Sequence, residues 1–247
     1  MRKIYLFDVD GTLTPARMPM DKAFEVFFDS FVNSNKVVLI SGSDYKKIQE
    51  QVPQDILNKC EGVYGCSGAE YFEKDILVFR KEHEFPKQLL QLCEGFITNS
   101  AYHQRCGTHI EERPGMLNIS SVGRDATNSQ RKSYHAWDME NNERIAFVDV
   151  INKSDLPYEA SAGGEISIDI VPKGWNKSVV KNEILSKYPE ASLVFFGDKI
   201  VPNGNDLPLA EALQDSDGKH ISVPVDSYKD TWKFLKADMT VAKKRFA

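Results

Sequence analysis

The chain has 247 residues, of which 41% are hydrophobic, and this is enough for a buried core in one large domain or two smaller ones. A small peptide-like scaffold is therefore excluded. Lys and Arg number 31 against 36 Asp and Glu, so the formal net charge of −5 gives no global field that favours nucleic acid or an anionic membrane. An anionic ligand must be held by local charges.

Short apolar segments alternate with segments of helical character along most of the chain. Strands are predicted at residues 4–7, 37–40 and 193–196. Helices are predicted at about 20–34, 44–51, 86–97, 176–187 and 226–236. Because strands that alternate with helices are typical of parallel sheets, the pattern predicts an α/β core.

The middle of the chain has a different pattern. Polar and apolar residues alternate at about 108–121 and at 165–171, which predicts antiparallel strands, and a polar, helix-rich stretch lies near 128–143 between them. The alternation places Ser167 and Asp169 on one face of their strand and three isoleucines on the other. The polar face either reads the hydroxyl groups of a ligand or is simply the solvated side of the sheet.

These two patterns predict two structural units. We expect an α+β insertion at residues 82–176, within an α/β core that is formed by residues 1–81 and 177–247.

The spacing of the cysteines and the short apolar segment near the N-terminus indicate the cellular compartment of the protein. The cysteines form no Cys-x-x-Cys pair and are too sparse for a disulfide framework or a structural zinc site, so we expect reduced thiols at Cys60, Cys66, Cys93 and Cys106. The apolar segment at 4–7 is far shorter than the core of a signal peptide, and no segment approaches transmembrane length. We therefore expect a cytoplasmic protein.

Two acids follow the first predicted strand, in the motif Asp8-x-Asp10-Gly11-Thr12. They emerge at the carboxyl end of a parallel sheet, where ligands bind in such folds. Two carboxylates this close repel each other unless a cation lies between them, and Mg²⁺ suits their oxygens. Asp8 can then attack phosphorus and form an aspartyl phosphate, while Asp10 can transfer a proton. The motif alone is equally compatible with an ordinary Asp-Gly turn.

Two later segments supply cationic and hydrogen-bonding groups that phosphoryl transfer needs. Ser41, Gly42 and Ser43 follow a predicted strand, and they offer either groups that hold phosphate oxygens or an ordinary helix cap. Lys177 lies near a predicted helix start, where it can neutralise phosphate charge, although a lone lysine is usually a surface residue.

A further carboxylate, Asp198, follows the apolar strand at 193–196 and completes a metal site, and Asp206 can hold Lys177 or a water. These segments, taken in order, resemble the four motifs of the haloacid dehalogenase superfamily. The residues that carry this resemblance are Asp8-x-Asp10-Gly11-Thr12, Ser41, Lys177 and Gly197-Asp198.

Flanking segments narrow the resemblance to the eukaryotic-type phosphomannomutases, over nearly the whole chain. These segments are Arg113-x-Gly115-Met116-Leu117-Asn118, Gly123-Arg124, Gly163-Gly164-x-Ile166-Ser167-x-Asp169 and Gly174-Trp175-x-Lys177. The resemblance implies a Rossmannoid core with a parallel sheet and an inserted α+β cap. It implies Asp8 as nucleophile, Asp10 as acid and base, and Mg²⁺ held by Asp8, Asp10 and Asp198. Substrate contacts are implied for Arg17, Ser41, Gly42, Ser43, Arg113, Arg124, Arg131, Ser167, Asp169 and Lys177.

The reaction that this resemblance implies interconverts mannose 6-phosphate and mannose 1-phosphate, with a hexose 1,6-bisphosphate as activator. Such an enzyme must hold two phosphates, and Arg113, Arg124 and Arg131 can clamp the one that is not reacting, because guanidinium groups bind phosphate through paired hydrogen bonds. The resemblance also implies a homodimer formed through the cap. The alternatives are a sugar-phosphate phosphatase of the same superfamily, a phosphoglucomutase, and a catalytically silent binding protein.

Overall fold

The computed structural model describes residues 3–214 and 218–245, with residues 238–245 by backbone alone. Its strands are β1 (Lys3–Phe7), β2 (Lys36–Ile40), β3 (Gly62–Gly65), β4 (Glu70–Glu73), β5 (Ile76–Arg80), β6 (Ile110–Arg113), β7 (Met116–Ile119), β8 (Tyr158–Gly163), β9 (Ser167–Pro172), β10 (Ser192–Gly197) and β11 (Ile221–Pro224). Its helices are α1 (Lys22–Ser34), α2 (Tyr45–Gln51), α3 (Gln54–Lys59), α4 (Lys87–Asn99), α5 (Asn128–Asn141), α6 (Glu143–Lys153), α7 (Val179–Lys187), α8 (Leu207–Ala212) and α9 (Tyr228–Arg245).

The larger sheet has seven strands in the order β11-β10-β1-β2-β3-β4-β5. The strands from β11 to β3 are parallel, and they include the three strands that the sequence predicts. The other two strands, β4 and β5, form an antiparallel hairpin at the edge. Its turn residues Lys74 and Asp75 have φ values of 49° and 68°, which a type I′ turn requires. The sequence pattern missed the hairpin because this turn lacks the Asn-Gly or Asp-Gly pair that signals it.

The central strands of this sheet are buried on both faces, which explains why β1, β2, β3 and β10 are largely apolar. On one face Tyr5 and Phe7 of β1 pack with aromatic residues of α1, among them Phe28 and Phe31. On the other face the remaining side chains of β1 pack against α7 and α8. We call this sheet with its helices the core.

The smaller sheet has four antiparallel strands in the order β6-β7-β9-β8, and we call it, together with α4, α5 and α6, the cap. Residues of α4 and α6 cover one face of the sheet, where Ile168 and Ile170 point as the alternation predicts. Ile166 instead packs in a smaller cluster with Val122 and Tyr134. The opposite face carries Asn118, Ser167 and Asp169.

The helical part of the cap is longer than the pattern predicts. The stretch near 128–143 becomes α5, and α6 follows it after Asn142, whose φ of 55° is left-handed. Asparagine tolerates this conformation better than most residues, so a single position separates the two helices. No helix within the described ranges is long and apolar enough to cross a membrane.

Cap and core contact each other directly through the main chain. The amide of Ala162 in β8 donates a hydrogen bond of 2.8 Å to the carbonyl oxygen of Asn203, in the loop between β10 and α8. The side chain of Arg113 reaches the core as well, since its Nη1 donates to the carbonyl oxygen of Gly42 at 3.0 Å.

Candidate active site

The predicted nucleophile Asp8 follows β1 at the carboxyl end of the parallel strands. Its amide donates to the carbonyl oxygen of Phe196 at 2.9 Å, so the ladder between β1 and β10 continues one residue beyond β1 and fixes the position of Asp8. Gly11 then lets the chain pass beside the end of β10. Its φ is 86°, and an added Cβ would lie 2.6 Å from Oδ2 of Asp198, so a larger residue would displace that carboxylate.

Lys177 lies beneath Asp8 and is completely buried. Its Nζ is 2.5 Å from Oδ1 of Asp8 and 2.7 Å from Oδ1 of Asp206. Burial alone would lower the pKa of the Lys177 ammonium, but the charges of Asp206 and Asp8 raise it above its ordinary value. The interpretation that Asp206 holds Lys177 therefore agrees with the contact.

Three carboxylates, which we call the carboxylate cluster, bring their oxygens within 4.8 Å of one another: Asp8, Asp198 and Asp206. Burial raises the pKa of Asp8 well above its usual range, although Lys177 opposes the shift. Burial and the charge of Asp206 also raise the pKa of Asp198, to about 6. This set of crowded carboxylate oxygens fits a hard cation such as Mg²⁺, whose charge would stabilise their ionised forms.

Asp10 is not part of the carboxylate cluster. Its Oδ1 accepts a hydrogen bond of 2.8 Å from the backbone amide of Arg17, and its Oδ2 lies 3.2 Å from the Ser43 hydroxyl. Its side chain is thus held in the pocket lining, where it is available for proton transfer. The role of Asp10 as a metal ligand stays a prediction.

The loop Ser41, Gly42 and Ser43 connects β2 to α2 and lines the pocket beside Asp8. The amide of Ser43 donates to Oγ of Ser41 at 3.0 Å. The cap of α2 is made by the next residue, Asp44, which accepts a hydrogen bond from the backbone amide of Lys47 at 2.9 Å. The loop therefore lies ahead of the helix cap, and its own polar groups are the ones that face the pocket.

Cap residues form the other side of the pocket. Arg113, Arg124 and Arg131 line it together with Arg17 of the core, and we call these four the arginine cluster. Ser167 accepts a hydrogen bond from Nη1 of Arg124. The other predicted contact from this face, Asp169, lines the same pocket, where its Oδ1 accepts a 2.5 Å hydrogen bond from the side-chain Nδ2 of Asn118.

Burial and mutual repulsion act on the arginine cluster. Burial, together with the charges of neighbouring arginines, lowers the pKa of Arg17, Arg124 and Arg131 to about 10. Burial would lower the pKa of Arg113 too, but Asp169 and Glu111 raise it. All four remain cationic at neutral pH, and an anion such as phosphate would relieve their repulsion.

The structure brings all the sequence-predicted site residues to one place: Lys177 lies beneath Asp8, and the others line the pocket. Sequence reasoning gave no site role to Gln51, which is buried and donates towards Oδ2 of Asp10 at 3.5 Å while accepting from Thr14 at 2.7 Å. The sequence feature that indicates a role for Gln51 is its position as a polar residue on the buried face of α2. Other residues that were missed here are Glu111, Asn118, Glu165, Lys199 and Asn205.

A parallel-rich sheet with a buried aspartate at the carboxyl end of its central strand, covered by a cap, gives the protein a haloacid dehalogenase-like fold. The fold of the IMP-bound IMP-nucleotidase of Plasmodium falciparum is similar, with a TM-score of 0.60 at 15% identity over 97% of this chain and 68% of that one.

The model of the eukaryotic phosphomannomutase family matches residues 24–241. The phosphomannomutase of Drosophila melanogaster is 31% identical over 242 residues, which cover 94% of this chain and 93% of that protein. The phosphomannomutase of Saccharomyces cerevisiae is 30% identical, over 94% and 92% of the two chains. This chain belongs to the eukaryotic phosphomannomutase family.

Proposed function

We propose that this protein is a phosphomannomutase that interconverts mannose 6-phosphate and mannose 1-phosphate, the latter being the form that GDP-mannose synthesis consumes. The observation that carries the proposal is a pocket with a buried nucleophile on one side and four arginines on the other. Asp8 supplies the site of transfer, and the arginine cluster supplies a separate site for a second phosphate.

Chemistry begins at Asp8, whose carboxylate attacks the phosphorus of a hexose bisphosphate and becomes an aspartyl phosphate. Asp10 gives a proton to the departing sugar oxygen and takes it back when the sugar hydroxyl attacks in the return step. Lys177 and the polar groups of Ser41, Gly42 and Ser43 stabilise the phosphoryl oxygens. Asp8 and Asp198 and, as the sequence predicts, Asp10 would hold Mg²⁺, which would supply further neutralisation of phosphoryl charge.

The cap holds the part of the substrate that does not react. Arg17, Arg113, Arg124 and Arg131 bind the distal phosphate through charge-assisted hydrogen bonds, while Ser167 and Asp169 contact sugar hydroxyls. The phosphoenzyme then donates its phosphoryl group to a hydroxyl of a hexose monophosphate. The bisphosphate that results turns round, or leaves and rebinds, so that its other phosphate faces Asp8. A hexose 1,6-bisphosphate thereby both activates the enzyme and lies on its path.

The cap, which we propose to be residues 82–176 inserted in a core of 1–81 and 177–247, excludes water from the aspartyl phosphate. Cap and core together thus enclose the active site during phosphoryl transfer, and we call this enclosed site the chamber. We further propose that the protein is a cytoplasmic homodimer that pairs through the cap, and its four free thiols fit a reducing compartment.

One assay separates this function from its alternatives. Isomerisation of mannose 1-phosphate is followed with and without a hexose 1,6-bisphosphate, and inorganic phosphate release is measured in parallel. A mutase gives isomerisation that depends on the bisphosphate, with little phosphate released. Phosphate release without isomerisation would establish a phosphatase, and binding without either product would establish a silent protein.

A second substrate is needed to distinguish a phosphomannomutase from a phosphoglucomutase. The same assay is run with glucose 1-phosphate at matched concentrations, and the two kcat/KM values are compared. The proposal requires the larger value for mannose 1-phosphate.

A further inference from the structure

The arginine cluster concentrates positive charge in a buried position, and its like charges repel. The pKa of Arg124 falls to about 10 through burial and through the charges of Arg17 and Arg113. Groups under such repulsion spread apart unless an acceptor fixes them, because each guanidinium has several free torsions. Something in the fold must therefore hold these side chains in place before phosphate arrives.

Glu111 of β6 contacts two members of the cluster with a single oxygen. Its Oε2 accepts a hydrogen bond of 3.1 Å from Nε of Arg113 and a second one from Nη2 of the same residue. The same oxygen lies 3.3 Å from Nε of Arg124. Glu111 and Arg113 are two residues apart on one strand, so they share a face and the contact is built into β6.

The Arg124 contact is an ion pair without a well-aligned hydrogen bond. Its Nε is buried and has no hydrogen-bond partner within the described part of the chain, although Oε2 of Glu111 is at ion-pair distance. Burial would raise the pKa of the Glu111 carboxyl, but Arg113, Arg124 and Lys47 hold it below its usual range. The carboxylate is therefore ionised at neutral pH and acts on both arginines at once.

Glu111 contacts the two arginines from outside the pocket lining. Arg113 and Arg124 both line the pocket, whereas Glu111 is not among the described residues that line it. Nη1 of Arg113 also donates to the carbonyl oxygen of Gly42, and Nη1 of Arg124 donates to the hydroxyl of Ser167, so each guanidinium is held at two points. This arrangement leaves a phosphate free to approach from the pocket side.

We infer that Glu111 is a positioning residue of the distal phosphate site, which ties Arg113 and Arg124 together and orients them for a substrate phosphate. The inference rests on the proposed function, because the phosphate in question is the non-reacting phosphate of a hexose phosphate. Glu111 itself touches no reacting atom and carries out no chemical step.

The test compares Glu111→Gln with Glu112→Gln, a matched control. Glu112 is the next residue of β6 and is exposed, so the same change there removes the same charge without touching the cluster. The side chain of Glu111 is 33% exposed, so the variant is expected to fold, and thermal unfolding checks this. Glu111→Asp keeps the charge on a shorter side chain and serves as the conservative variant.

The readouts are KM and kcat for mannose 1-phosphate isomerisation, and Kd for mannose 1-phosphate by calorimetry without bisphosphate. Loss of a charge-assisted contact should raise KM and Kd about tenfold in Glu111→Gln, with kcat within about twofold of the parent enzyme. Glu111→Asp should recover part of the loss, and Glu112→Gln should match the parent.

Unchanged KM and Kd in Glu111→Gln would overturn the inference. Tighter binding would overturn it as well, since Glu111 would then compete with phosphate for the arginines. If the parent protein hydrolyses mannose 1-phosphate instead of isomerising it, the proposed function fails, yet the Kd comparison still tests Glu111.

Discussion

The carboxylate cluster and the arginine cluster face each other across one pocket with opposite charge. In the first, three carboxylates share the buried ammonium of Lys177 and the partly exposed ammonium of Lys199. In the second, the carboxylate of Glu111 contacts two of four guanidinium groups.

Burial shifts the pKa values of the two clusters in opposite directions, except at Arg113, where Asp169 and Glu111 outweigh it. Burial makes each charged form less favourable, so the pKa of Asp8 and Asp198 rises while that of Arg124 and Arg131 falls. A bound ion of opposite charge therefore stabilises each cluster: a cation stabilises the carboxylate cluster, and an anion stabilises the arginine cluster. A phosphate ester that binds with a divalent cation supplies both, which explains how charges so costly to bury are retained.

The largest expected effect comes from the nucleophile. Asp8→Asn keeps the shape of the side chain but removes the attacking carboxylate, so isomerisation should fall by roughly 10⁴-fold or more. Phosphoenzyme, measured by mass spectrometry after incubation with a hexose 1,6-bisphosphate, should disappear with it. An Asp8→Asn protein that still turned over would refute the assignment of Asp8.

Next in size is the loss of the buried ammonium between Asp8 and Asp206. Lys177→Met leaves two buried carboxylates without their shared partner, so the free energy of unfolding in metal-free buffer should fall by about 3–5 kcal/mol. Urea denaturation measures this. Lys173→Met removes an exposed lysine shortly before it and should change stability little. Equal stability of the two variants would show that Lys177 does not compensate the carboxylates.

A cap variant should separate binding of the distal phosphate from chemistry at Asp8. Arg131→Ala is expected to lower kcat/KM for mannose 1-phosphate by roughly 100-fold, since charge-assisted contacts to phosphate are lost. Hydrolysis of acetyl phosphate, which has no second phosphate, should change little. Lys132→Ala, an exposed neighbour on α5, is the control. Equal loss with both substrates would contradict a distal role for Arg131.

The smallest expected effect is a pH-dependent gain of stability from Mg²⁺. A raised folded-state pKa near 6 means that Asp198 is ionised above pH 6 and takes up a proton as the pH falls through 6. The proton competes with the cation for Asp198. Mg²⁺ at ten times its Kd should therefore increase the free energy of unfolding by about 1.4 kcal/mol at pH 7.5 and by less at pH 5. Thermal unfolding at both pH values measures the difference, and a larger gain at pH 5 would contradict this reading of Asp198.

The sequence was most informative where function and local structure coincide. Asp8 and Asp198 directly follow apolar strands, so their meeting at one sheet edge follows from the parallel topology. The convergence of Arg113, Arg124 and Arg131 was implied by the family resemblance, because their separation along the chain contains no distance information.

Other features depend on contacts that a single sequence does not express. Gln51 contacts Asp10 only because α2 packs beside the loop after β1. In the sequence, Glu111 cannot be distinguished from an ordinary solvent-facing glutamate on a strand. The β4–β5 hairpin was missed because its Lys74-Asp75 turn is an unusual choice for left-handed backbone.

The hydrogen bond from Ala162 to Asn203 joins the cap sheet to the loop that leads to Asp206. It is a main-chain bond, and separation of the cap from the core must break it. The amide proton of Ala162 is thus protected from exchange with solvent deuterium when cap and core are in contact and is released when they part. Exchange at a single backbone amide thereby reports the equilibrium between the closed and the open arrangement of cap and core, in the unmodified enzyme.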